Sequence, residues 1–234
     1  MEKQRRELHW IDFIILSIIF FGYATYGAIS IYFRDVSSSI DAESFTNNDN
    51  YFAIITEIVI LVIALIYLLI RKFDFKLINF SVNKRTIPLA LLLIFLGSVA
   101  TDLVVYGNYW LTTDYTLSEL ISSQESLSNM FWNITISLML FSLLNGFYEE
   151  LFFMWLTFSI QDKFRKYVII WSIFIRFIFH IYQGIPSALW IALAWLFFIL
   201  VRCRVSSIIP FIIAHAVFDM FGAGIFSLIF SMFN

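Results

Sequence analysis

A single cysteine, Cys203, occurs in the 234 residues of this chain. One thiol excludes an intramolecular disulfide and a cysteine-based metal cluster. Its plainest reading is an incidental thiol at a membrane edge, with lipidation as the one motif-level alternative. Charge is scarce too. Asp, Glu, Lys and Arg supply 14% of the residues, against about 25% in soluble domains. No basic patch with interleaved aromatics occurs, so nucleic acid is not an expected partner. HExxH is missing, which excludes a standard zincin helix. Nothing suits a serine or thiol nucleophile, because Cys203 falls at the edge of an apolar run.

What is present is apolar. Hydrophobic residues make up 61% of the chain and aromatics 20%, with a mean hydropathy of +0.85. That composition belongs to a polytopic membrane protein. The charged start "MEKQRRELHW" leads into an apolar run from Trp10 to about Phe33. This run exceeds a signal peptide's hydrophobic core of about 7–15 residues, and no A-x-A site follows it. It reads as a retained first spanning helix.

A spanning helix needs about 20 mostly apolar residues. Such runs occur at about 10–33, 51–70, 87–107 and 130–158. Polar breaks at "QDKFRKY", "YQGIP", "RCR" and "FGAG" divide the rest into runs at about 167–182, 187–201, 206–220 and 223–233. The expected fold is all-α, with about eight transmembrane helices. Loop charge alternates without a break. The N-terminus and the loops around 71–85, 161–167 and 202–204 are basic, whereas those around 34–50 and 113–129 are acidic. The positive-inside rule then places both termini in the cytoplasm. Residues 1–128 hold helices one to three, and 129–234 hold a five-helix core. No repeat, low-complexity segment or linker marks a further domain.

Ionisable side chains inside hydrocarbon are rare, and each is a candidate functional group. Here they are Asp12, Glu57, Asp102, Glu149, Glu150, Arg176, His180, His215 and Asp219. At 1.5 Å per residue from the cytoplasmic ends, Glu149, Glu150, Arg176 and His215 all lie roughly 15 Å deep, and His180 and Asp219 roughly 20 Å. Three helices thus carry polar groups to one layer, as a shared hydrated cavity requires. Arg176 and His180 are spaced i,i+4 and share a helix face, as do His215 and Asp219. Glu149 and Glu150 are about 100° apart, so they are not expected to meet one spot. Arg176 is the cation at that depth and is expected to neutralise Glu150, in what could equally be a structural staple. An uncompensated carboxylate there would take up a proton.

A carboxylate beside two imidazoles suits hydrolysis. Glu149 can deprotonate water. The histidines can bind a metal or donate to a tetrahedral oxyanion. A proton or ion pathway uses the same residue types. Asp12 sits at the cytoplasmic edge, and Glu57 and Asp102 read as helix–helix hydrogen-bonding groups.

Three segments carry a family resemblance: "EELFFM" (Glu149–Met154), "RFIFH" (Arg176–His180) and "HAVFD" (His215–Asp219). In this order they resemble the EExxxR, FxxxH and HxxxN/D motifs of the CPBP intramembrane proteases, the CAAX protease and bacteriocin-processing or Abi family. The resemblance covers about Leu143 to Gly222. Met154 stands where the family has Arg, and Arg176 where it has Phe. The stretch "RFIFHIYQG" is similar to a branch with Arg four residues before the His. The resemblance implies an intramembrane endopeptidase in which Glu149 activates water. His180, His215 and Asp219 would then bind a metal or line an oxyanion hole. A zinc ion, if held, would take Glu149, His180 and His215.

The implied substrate is a membrane-associated peptide or lipid-anchored protein. The implied setting is the bacterial cytoplasmic membrane, with roles in bacteriocin or pheromone maturation or in self-immunity. Loss of the motif-one Arg favours an alternative, a non-catalytic immunity or scaffold protein. A small transporter is a third possibility, against which no inverted repeat of broken helices is visible.

Overall fold

The computed structural model of the chain describes residues 7–34, 46–112 and 134–222. Among these it is all-helical, with seven helices. They are α1 (Trp10–Phe33), α2 (Asn47–Ile70), α3 (Thr86–Thr112), α4 (Ile136–Glu150), α5 (Asp162–Phe179), α6 (Ile185–Arg202) and α7 (Ile209–Phe221). The eighth expected helix, 223–233, lies outside the described residues, as do most of the two acidic loops.

Four stretches are long and apolar enough to cross a membrane: Trp10–Phe33, Asn47–Ile70, Thr86–Leu103 and Ile136–Ser159. Two shorter stretches, Ser187–Arg202 within α6 and Ile209–Phe221 of α7, are also apolar. The outer surface is correspondingly apolar. On α2, Ile55, Val59, Val62 and Ile66 are all exposed, as expected for a helix whose solvent is lipid rather than water.

Local sequence explains several helix ends. Thr46 caps α2 in a reciprocal box, in which the Asp49 N–H donates to Thr46 Oγ1 and the Thr46 N–H to Asp49 Oδ2. The helix therefore starts at Asn47, one turn ahead of the apolar run. Thr135 caps α4 by accepting from the Leu138 N–H at 3.2 Å. The start of α4 is tied to α2 through Ser137, which donates to Asn47 Oδ1 at 2.5 Å and accepts from Asn50 Nδ2 at 3.1 Å. Helix α5 begins at Asp162, inside the charged segment expected to be loop.

Helix α4 packs along α7 and α2, while α7 also meets α3 and α1 pairs with α5. Two glycines allow the close approaches to α7. A Cβ on Gly146 would lie 3.0 Å from the Ile212 carbonyl oxygen and 3.3 Å from the Ala216 nitrogen. A Cβ on Gly97 would lie 2.6 Å from the Phe218 ring. Small residues at such crossings are how apolar helices associate in lipid. The core between α1, α4 and α5 is aromatic, with Phe13, Phe20, Phe21, Phe152, Phe153 and Phe179 in mutual contact. The Tyr148 hydroxyl, in this core, donates to the Phe20 carbonyl.

At one end of the bundle, Asp12 joins α1 to α2. It accepts from Tyr67 Oη at 2.7 Å, from Arg71 Nε at 2.7 Å and from the His9 N–H at 2.9 Å. The charge of Asp12 is thus fully matched, and its role is structural. Its carboxylate holds the Arg71 guanidinium even more firmly protonated than usual.

Candidate active site

The two adjacent carboxylates close α4. Beyond Glu150 the chain widens into a π-helical turn, Leu151–Leu156, followed by a tight turn at Thr157–Ser159. The Thr157 N–H reaches back to the Phe152 carbonyl, five residues earlier. Such a widening re-phases a helix and recurs at functional sites. Its effect here is concrete: all six residues of the turn are buried. The freed Met154 carbonyl accepts from Arg202 Nε at 3.0 Å. Met154 itself is fully buried, in the core rather than among the polar groups.

Glu149, Glu150, Arg176, His215 and Asp219 converge as the depth argument anticipates, but they pair differently. Arg176 Nη1 lies 3.1 Å from Glu149 Oε2, so the cation serves Glu149 and not Glu150. Glu150 instead contacts His215 Nδ1 at 2.6 Å. On the other edge of the same ring, His215 Nε2 faces Glu149 Oε2 at 3.8 Å and Asp219 Oδ1 at 3.6 Å. The angular argument about adjacent carboxylates is corrected for the same reason. Two groups about 100° apart on one helix cannot share one atom, yet they can flank one imidazole, whose two nitrogens lie on different edges.

His180 sits where α5 ends and is half-buried. Its Nδ1 is 2.8 Å from the Arg176 carbonyl oxygen. A carbonyl only accepts, so Nδ1 carries the hydrogen, and Nε2 of the neutral ring is left as an acceptor. The chain then turns through Ile181–Gln183 to Gly184, whose φ of 92° lies in the left-handed region that favours glycine. This turn starts α6, and α6 brings Trp195 under the site.

Sequence reasoning missed four supporting residues. Trp195 and Phe153 hold Arg176 by its faces, with the guanidinium carbon 4.0 Å and 4.9 Å from their ring centroids. A planar guanidinium stacks on such rings far better than an ammonium. Asn145, one turn before Glu149, donates from Nδ2 to Asp219 Oδ2 at 2.8 Å. Gly146 lets α7 approach closely enough for His215 to reach Glu150. The i,i+4 spacing of Asn145 and Glu149 was a visible signal, because it puts both on one face. The other three depend on contacts between helices.

Glu57 on α2 is also buried, with its Oε2 lacking a hydrogen-bond partner. It interacts electrostatically with Glu149, Asp219 and His215. Its helix, α2, packs along α4, which carries Glu149.

A metal site fits poorly here. Among the described residues, no three His, Cys, Asp or Glu side chains form a group that could hold a metal ion. His215 Nδ1 is already engaged by Glu150. The guanidinium of Arg176 occupies the flank of Glu149, where a dication would meet its repulsion. The expected set of Glu149, His180 and His215 is therefore not assembled around one point.

The cluster keeps unsatisfied polar atoms. Glu149 Oε2, Glu150 Oε2, and Nε and Nη1 of Arg176 are buried without an aligned hydrogen bond. Buried polar atoms are nearly always paired, and exceptions call for a use.

Residues 131–221 match the model of a family described as Rce1-like, type II CAAX prenyl endopeptidase Rce1-like. The match runs from before α4 to the end of α7 and contains every residue of the cluster except Glu57. It agrees with the motif-level resemblance to the CAAX proteases. No curated protein and no solved structure matches the chain.

Proposed function

Because the chain carries an Rce1-like domain of the CPBP/CAAX protease family over residues 131–221, we propose that it is an intramembrane endopeptidase acting through water activated by Glu149. The observation that supports this most is the concentration of unsatisfied carboxylate and guanidinium atoms around His215. That is the chemistry a hydrolytic site needs before its substrate arrives. Glu150 accepts from His215 Nδ1 and fixes the ring, so that Nε2 is directed between Glu149 and Asp219. A gap of 3.8 Å between Nε2 and Glu149 Oε2 is too long for a direct hydrogen bond and suits a bridging water.

In the proposed reaction, a water oxygen attacks the scissile carbonyl carbon while its proton passes to Glu149. The new oxyanion forms beside Arg176 Nη1 and Nε2–H of a His215 imidazolium, the one protonation state in which both ring nitrogens donate. Collapse breaks the C–N bond. Glu149 then returns the proton to the departing amine nitrogen, which restores the carboxylate. Asn145 and Asp219 hold the far side of the His215 edge. His180, through its Nε2 acceptor, is placed to receive a substrate or water N–H or O–H. Arg176 supplies a cation from the neighbouring helix, but to Glu149; the second Glu, Glu150, is held by His215 instead of by a motif-one Arg.

The substrate class is a membrane-associated peptide or a lipid-anchored protein, as in maturation of a bacteriocin or pheromone. The test compares membrane and secreted peptides by mass spectrometry in wild type, a deletion, Glu149→Gln and His215→Ala at equal expression. Loss of the same processed peptide in both point variants and the deletion supports the protease. If the point variants match wild type while the deletion has a phenotype, the catalytic reading fails and a non-catalytic binding role takes its place.

A further inference from the structure

A second polar site lies at the membrane face that carries the basic loops, away from the carboxylate cluster. It is a cavity of about 170 Å³ between the start of α3, the end of α6 and the start of α7. Arg85 precedes α3, Arg204 follows α6, and both guanidinium-bearing residues line the space. Asn83, Thr86, Ser206 and Ser207 add amide and hydroxyl groups. Among the described residues no carboxylate pairs with either arginine. Both arginines thus line the cavity without a carboxylate partner among the described residues.

The hydroxyls have spare capacity of the matching kind. Thr86 Oγ1 accepts from the Asn83 N–H at 2.9 Å, and Ser206 Oγ accepts from Asn79 Nδ2 at 3.2 Å. Both keep an O–H to donate. The Ser207 hydroxyl is committed to the Ser81 carbonyl at 2.6 Å and holds the loop in place. Thr86 and Ser207 are buried, so the floor of the cavity is part of the folded bundle. At about 10–15 Å³ per water in the same measure, the space accepts a tetrahedral oxyanion with its ester oxygens.

We propose that this cavity binds a phosphate group, with Arg85 and Arg204 as its charged arms and Thr86 and Ser206 as hydroxyl donors. Arginine forks match phosphate oxygens in pairs. The loop-charge rule puts this end of the bundle at the cytoplasmic leaflet, where basic pockets between transmembrane helices meet anionic headgroups. A lipid phosphodiester and a free phosphate offer the same chemistry, and experiment separates them.

The full chain, purified in a zwitterionic detergent, is heated with dioctanoyl phosphatidylglycerol, dioctanoyl phosphatidylcholine or inorganic phosphate. Phosphatidylglycerol is expected to raise Tm saturably and phosphatidylcholine not to. An equal rise with inorganic phosphate would assign the site to free phosphate; a rise with the lipid alone would assign it to the headgroup. The double variant Arg85→Gln/Arg204→Gln should weaken apparent binding roughly five-fold per guanidinium, about twenty-five-fold in all. Both arginines are exposed, so the variant should fold. A control variant, Lys76→Gln/Lys166→Gln, removes the same charge from exposed positions outside the cavity and should bind like wild type. The proposal is overturned if neither anionic probe raises Tm above phosphatidylcholine, whose choline neutralises its phosphodiester, or if the two double variants lose affinity equally.

Discussion

Replacing Arg176 by Met should destabilise the fold through one identifiable carboxylate. Nη1 of Arg176 is 3.1 Å from Glu149 Oε2, and both side chains are only 9% exposed. At an effective dielectric of about 20, unit charges at that separation attract by roughly 5 kcal/mol. Desolvation cancels part of this, so the pair adds little over an apolar replacement of both. Removing one partner alone strands a buried charge and costs about 3–5 kcal/mol. Met keeps most of the apolar stem between Trp195 and Phe153 and removes the charge. Arg176→Met should therefore lose about 3–5 kcal/mol. The double variant Arg176→Met/Glu149→Gln should recover most of that, with a coupling energy of about 2–4 kcal/mol. The assay is unfolding in mixed micelles by SDS titration, read by tryptophan fluorescence. A parallel cycle with Glu150→Gln should show the weaker coupling. Coupling to Glu149 below about 0.5 kcal/mol, or a larger coupling to Glu150, would refute the pairing.

Three further outcomes are expected. Gly146→Val forces side-chain carbons against the Ile212 carbonyl and the Ala216 nitrogen; it should lose about 1–3 kcal/mol in the same titration and separate His215 from Glu150, ending peptide processing. Asn145→Ala removes the donor to Asp219; stability should fall by about 1 kcal/mol, and peptide-cleavage kinetics should show the loss in kcat rather than KM. Glu57→Gln removes a carboxylate that lacks a partner at Oε2 and lies in the field of Glu149 and Asp219; stability should rise by about 1 kcal/mol with cleavage retained. A hundred-fold loss of cleavage would instead make Glu57 part of the machinery.

The membrane class, and the convergence of Glu149, Glu150, Arg176, His215 and Asp219, were legible in the chain itself. Apolar runs need only a sum over neighbours, and charge in hydrocarbon stands out because it is costly. The spacing His215–Asp219 reports a shared helix face without any structure. Helix boundaries were less legible. The start of α2 was set by the Thr46–Asp49 box, and that of α5 by a charged first turn that a hydropathy reading assigns to loop.

Which carboxylate meets which cation was decided only in three dimensions. Sequence spacing sets the angle between Glu149 and Glu150 on their own helix. It says nothing about the rotation and distance of α5 and α7 around that helix. Those follow from Gly146 admitting the α7 backbone, from Trp195 and Phe153 seating the Arg176 guanidinium, and from the π-helical turn re-phasing the chain after Glu150. Each is a contact between distant segments or a change of helical phase. The one-dimensional pattern specifies which groups reach a layer, and packing alone selects their partners within it.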